Sequence, residues 1–171
     1  MRKFPLAALA LLLTSGCSSV LPLDYRHYEG ADAATIQVQN HQGNVGTIYI
    51  TKYDYVEAES CYQMDSRYVL DSNILEADGN IIRENIKAGG FYAVEQTLTR
   101  GAYVYSRSSP FIPEVGKHYY ISPGHKALEI PATLQVTPDV SDAMMLQKYK
   151  EAAQAWPINN RCKNFVGKIL S

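Results

Sequence analysis

The chain has four histidines, His27, His41, His118 and His125. Imidazole is the side chain best placed for proton transfer or metal binding near neutral pH. His118 and His125 flank Tyr119 to Gly124 and can meet across a turn there. A zinc centre needs three or four nitrogen, sulfur or carboxylate ligands. No thiol or carboxylate stands at a matching spacing, so the pair predicts no metal site. Asp78-Gly79 lacks the run of carboxylates that a calcium loop needs, and it reads as a turn. Nucleophile elbow, zinc-protease and phosphate-loop motifs are absent, as is any Cys-x-x-Cys. Triads are built across a fold, so these absences lower the expectation of catalysis without abolishing it. The expectation is a non-catalytic protein with no cofactor and no metal.

Tyrosine is the other chemical signal. There are 13 tyrosines against 4 phenylalanines and 1 tryptophan, so much of the aromatic surface carries a hydroxyl. Tyrosine offers rigid amphipathic area to a glycan or a protein, and it also suits half-buried strands. By alternation Tyr103 and Tyr105 share a face, as do His118 and Tyr120, and these four residues form a candidate binding face. Tyr49, Tyr53 and Tyr55 project together if their strand continues.

The elements that must position these residues read as β structure. Residues 34–39 alternate, with Ile36 and Val38 on one face and Gln37 and Gln39 on the other. Residues 46–53 place Ile48 and Ile50 together, and the turn at 41–46 suggests that the two segments form a hairpin. Shorter strands are expected at 66–72 and 79–85. A turn at 87–90 leads to 91–99, where Tyr92, Val94, Gln96 and Leu98 share a face, and 100–107 and 115–122 follow. The clearest alternation is 127–136, with Leu128, Ile130, Ala132, Leu134 and Val136 facing one way. Pro131 cannot donate to a ladder, which places that strand at an edge or a bulge. The end changes period. Met145, Tyr149, Ala152, Ala153 and Trp156 form a helical stripe, predicting one helix over about 140–156 that Asp139 or Ser141 caps and Pro157 ends. The expected fold is mainly β, an antiparallel β-sandwich with one C-terminal α-helix.

The start of the chain has a different character. Arg2 and Lys3 precede an apolar run from Phe4 to Leu13, then Thr14, Ser15, Gly16 and Cys17. A charged segment, an apolar segment and small residues make a secretory signal, and the run is too short to span a bilayer, which takes about 20 residues. Gly16-Cys17 resembles the lipobox of bacterial lipoproteins, with Thr14 where that family prefers leucine. The resemblance implies cleavage after residue 16 and acylation of Cys17, with Ser18 and Ser19 directing the protein to the outer membrane, facing the periplasm. Two or more chains anchor stably where one does not. Residues 17–33 are then a lipidated tether, with Tyr25 and Tyr28 able to dock, and 34–171 the sandwich with its helix and tail.

Loss of residues 1–16 leaves 14 basic against 17 acidic side chains, a net charge of −3. That disfavours nucleic acid, which needs clustered Lys and Arg. Acylation uses Cys17, and Cys61 and Cys162 remain as an even pair in an oxidising compartment, which predicts a disulfide between them. Residues 116–121, Gly-Lys-His-Tyr-Tyr-Ile, resemble a strand of small transthyretin-like or immunoglobulin-like sandwiches in bacterial envelope lipoproteins. The resulting expectation is a lipid-anchored envelope protein that binds an envelope protein partner or assists assembly. A glycan-binding or small-ligand-binding module ranks second, and a hydrolase last.

Overall fold

The computed structural model describes residues 23–73, 79–100 and 102–163. Cys17, the signal segment and residues 17–22 of the expected tether therefore lie outside the described residues. The strands, in chain order, are β1 (Leu23–Asp24), β2 (Ala33–Asn40), β3 (Gly46–Val56), β4 (Cys61–Asn73), β5 (Asn80–Lys87), β6 (Phe91–Arg100), β7 (Tyr103–Phe111), β8 (His118–Ile121), β9 (Leu128–Ile130) and β10 (Lys150–Glu151). One short helix, α1, spans Asp142–Lys148. Sheet A runs β1-β4-β3-β6-β7 and sheet B runs β10-β9-β8-β2-β5. The two sheets pack as a sandwich, as expected. Pairing is antiparallel except for β1 with β4 and β2 with β8.

Alternation explains the core. Ile36 and Val38 of β2, Ile86 of β5 and Tyr119 and Ile121 of β8 face Ile48 and Ile50 of β3, Val94 of β6 and Phe111 of β7, all buried. At roughly 1.5–3 kcal/mol per fully buried large apolar side chain, this layer dominates the stability of the fold. Gly46 has φ of 151°, and a Cβ there would run into the Thr97 carbonyl oxygen, so only glycine lets β3 start this close to β6.

The hairpin expected between β2 and β3 does not form. The chain crosses the core between them: β2 pairs with β5 and β8, and β3 pairs with β4 and β6. Neighbours are set by which faces can be buried, and β2 has both faces buried at its centre, Ile36 and Val38 inside and Gln37 and Gln39 outside.

The C-terminal third explains why outward residues are buried. Residues 131–149 cover the outer face of sheet B, where Tyr120, Leu128, Ile130, Val136 and Met145 form a second apolar cluster. Gln37 donates to the Leu134 carbonyl (2.7 Å) and accepts from the Val136 amide (2.9 Å). Residues 152–163 then cross to the outer face of sheet A. There Trp156 packs on Tyr53 and Ala93 and donates to the Tyr92 carbonyl (2.7 Å). The disulfide between Cys61 and Cys162 pins this tail, with Cα atoms 5.0 Å apart.

The helix is accordingly shorter than its periodicity predicts. Tyr149 is extended, and Lys150 and Glu151 pair with Leu128 and Glu129 as β10. Met145 and Trp156 lie on one helical stripe in the sequence, yet they serve different sheets. Helix propensity differs by under about 0.7 kcal/mol per ordinary residue, whereas emptying a buried tryptophan site costs about 3–5 kcal/mol. Burial of Trp156 decides the path. The strand expected over 127–136 also stops early, at Ile130, because Pro131 has no N–H to continue the ladder.

Candidate functional site

Residues 23–28 are a packed strap rather than slack tether. Leu23 and Asp24 pair with Tyr68 and Val69 on the edge of β4. The Tyr25 amide donates to the Val69 carbonyl (2.9 Å), and the Tyr28 amide donates to the Asn85 carbonyl of β5 (3.1 Å). The strap thus closes the long side of the sandwich between β4 and β5. Tyr25 and Tyr28 dock, as anticipated. The Tyr25 ring meets Tyr68 edge to face at 5.8 Å, and its hydroxyl donates to the Asn85 carbonyl (2.9 Å).

Beneath the strap lies a groove of about 810 Å³, within the roughly 300–1,000 Å³ usual for small-ligand sites. Ile50, Tyr68 and Tyr92 line it from sheet A, and Tyr25 and Tyr28 line it from the strap. Lys52 and Asp65, also in the lining, form an ion pair at 2.9 Å. Their hydrogen bond holds the Asp65 carboxyl below its ordinary range and the Lys52 ammonium above its own, so both stay charged. Burial raises the Tyr92 phenol, which stays neutral and able to donate.

The expected tyrosine face divides. Tyr103 and Tyr105 are exposed near the tip of the β6–β7 hairpin, with ring centres 6.4 Å apart. His118 and Tyr120 belong to β8 in the other sheet. Tyr120 is buried beneath α1, its hydroxyl donating to Asp142 Oδ1 (2.6 Å), and burial keeps the phenol protonated. Alternation does turn Tyr120 outward, but residues 131–149 lie over it. Tyr53 and Tyr55 join one aromatic cluster, Trp156 packing on Tyr53 and on Tyr62 and Tyr55 on Tyr62, while Arg67 sits 3.8 Å over Tyr49.

Two polar clusters had no signal in the linear sequence. On sheet A the Glu95 carboxylate is buried and accepts from Thr51 (2.8 Å), Tyr53 (3.1 Å) and Arg161 (3.2 Å), with Arg67 at 3.5 Å. At the end of β8 the Ser122 hydroxyl donates to Asp142 Oδ2 (2.8 Å), and His41 Nε2 lies 3.0 Å from Ser122 Oγ and 3.1 Å from the same Oδ2. A catalytic triad needs the base to reach the serine with one ring nitrogen and the orienting carboxylate with the other. Here one nitrogen faces both and the serine proton is already committed to the carboxylate, so the cluster ties α1 to β8. Among the described residues the one group with three metal-ligand side chains is Glu59, Cys61 and Cys162, and its sulfurs are spent in the disulfide.

Fold and site together define a small β-sandwich, strapped along one side, with an aromatic groove beneath the strap and an uncovered edge at β7. No family model, curated protein or solved structure matches the chain.

Proposed function

We propose that the chain is a lipid-anchored envelope protein that acts by binding another envelope protein, with no catalysis of its own. The observation that carries this reading is the free edge of sheet A. Tyr103, Val104 and Tyr105 are 70%, 67% and 50% exposed, and no described strand pairs with the outer side of β7. An uncovered edge with apolar side chains is a template for an added strand. The strap lies along β4 and β5, and β10 is two residues long. Among the described strands, β7 therefore offers the long accessible edge. The anchor rests on the signal-like start and on Gly16-Cys17 with Ser18 behind it. These features support acylation of Cys17 and a place at the outer membrane facing the periplasm.

A photoreactive residue at Tyr103 or Tyr105, irradiated in intact cells, is expected to capture one defined envelope protein. The same residue at Val115, 62% exposed, is expected to give no such adduct, and Cys17→Ser should abolish capture. Equal labelling from Val115, or no adduct from the hairpin, overturns the reading.

A further inference from the structure

We infer that the strapped groove is a binding site for an uncharged sugar ring. A pyranose has an apolar C–H face and a rim of hydroxyls, and the groove offers a match to each. The part-exposed rings of Tyr25, Tyr28 and Tyr68 supply apolar area. The Tyr68 and Tyr92 hydroxyls have no hydrogen-bond partner among the described residues, and Tyr68, which is part-exposed, is available to a ligand.

Arg26, Lys87 and Asp24 also line the groove, and the Lys52–Asp65 pair favours hydroxyls over an ion at its own position. Lys52 is already held by Asp65 at 2.9 Å and by Asp54 at 3.5 Å. An anion would have to draw Lys52 from both carboxylates, and a cation would have to draw Asp65 from Lys52. A neutral hydroxyl needs neither exchange. It accepts from one of the three ammonium protons of Lys52 and donates to a remaining lone pair of Asp65, adding to the pair. Hydrogen bonds to charged groups are the stronger kind, and the part-exposed Tyr68 offers a partner to the C–H face.

The sugar has two sources, a soluble glycan or a glycolipid headgroup. The choice between them rests on the proposed anchor, whereas binding itself does not. From Cys17 to Leu23 is six residues, a span of at most about 22 Å at ~3.3–3.6 Å each. Acylation of Cys17 thus holds the groove at the membrane surface, where a headgroup is the nearer source.

The test is saturation-transfer NMR on the full chain in a sugar-free detergent. One arm adds cellotriose, maltotriose or triacetylchitotriose. The other places the protein in phosphatidylcholine vesicles with or without glucosyl-diacylglycerol. Transfer to ring protons is expected in at least one arm, weakened about tenfold by Ser66→Trp, which fills the groove, and also reduced by Tyr68→Phe and Asp65→Asn. Transfer confined to the vesicle arm assigns the sugar to a headgroup. Tyr103→Ala should change nothing. No transfer in either arm overturns the inference, as does transfer indifferent to Tyr68→Phe and Asp65→Asn, which decide the matter if Ser66→Trp unfolds. Repeating the soluble arm with Cys17→Ser separates failure of the groove from failure of the anchor.

Discussion

The two outer faces of the sandwich are covered by one continuous stretch of chain, in two different ways. Over sheet B the cover is apolar, with Met145 and Val136 set against Tyr120, Leu128 and Ile130. Over sheet A it is a tryptophan beside a charge network, with Arg161 reaching the buried Glu95, and it ends in a disulfide. The contrast reflects what each segment can contribute. Residues 131–149 combine a continuous apolar surface with hydrogen bonds from Gln37, Arg83 and Tyr120. Residues 152–163 bring Trp156 and Ile158 as their large apolar groups, beside small and polar residues, and a buried carboxylate is costly unless it is paired. The tail therefore depends on directional contacts and on a covalent link.

Removing that link tests the difference most severely. Replacing both Cys61 and Cys162 with serine is expected to cost about 2–5 kcal/mol in denaturant unfolding; the chain-entropy model gives about 4.7 for a loop of roughly 100 residues. Trp156 fluorescence should shift to the red as the tail loosens. If stability and emission both stay at wild-type values, the disulfide is incidental and the two covers are alike after all.

A smaller effect is expected from the charges. Arg161→Met leaves Glu95 with Arg67 as its one cationic neighbour among the described residues, and a loss of about 1–3 kcal/mol follows from stranding a charge that is poorly compensated. A double-mutant cycle with Glu95→Gln should show coupling of about 0.5–3 kcal/mol. Strict additivity would mean that solvent, rather than Arg161, satisfies the carboxylate.

The smallest contrast is in alkali. Both faces bury a phenol whose pKa is raised: Tyr53 by burial and by Glu95, with Arg161 opposing, and Tyr120 by burial and its bond to Asp142. A raised pKa in the folded state contributes stability that is complete below the unfolded value near 10 and declines as pH rises above it. Stability should fall above about pH 10, and Tyr120→Phe should flatten that limb more than Tyr53→Phe, since no cation opposes the shift at Tyr120. Equal slopes in the two variants would remove this distinction between the faces.

The inner half of the molecule was legible in the sequence. Period-two alternation placed Ile36, Val38, Ile48, Ile50, Tyr92 and Val94 correctly, because an inward side chain needs only its own strand to be recognised. The bridge between Cys61 and Cys162 followed from compartment and count. The outer half was not legible. Gln37, Thr51, Glu95 and Tyr120 alternate outward and so read as solvent-facing, but their burial depends on segments about 20 to 100 positions away. The groove was hidden for the same reason: Tyr25 lies in a stretch that reads as tether, and only its pairing with β4 and β5 brings it over Tyr68. Tyr103 and Tyr105 share an exposed face as alternation expects, because a hairpin end owes little to the rest of the chain.

The position of the disulfide also sets how this molecule behaves under tension. A pull between the two termini enters at the strap and leaves through the tail, and the bond joins positions 101 apart. Everything from Cys61 to Cys162 is short-circuited. The strap, β2 and β3 can be peeled away and drawn out, whereas β4 through β10 stay in a covalently closed loop that no force below bond rupture can lengthen. Stretched from its ends, the domain pays out thread only from the part ahead of Cys61 and the few residues after Cys162, and most of its contour length stays in reserve.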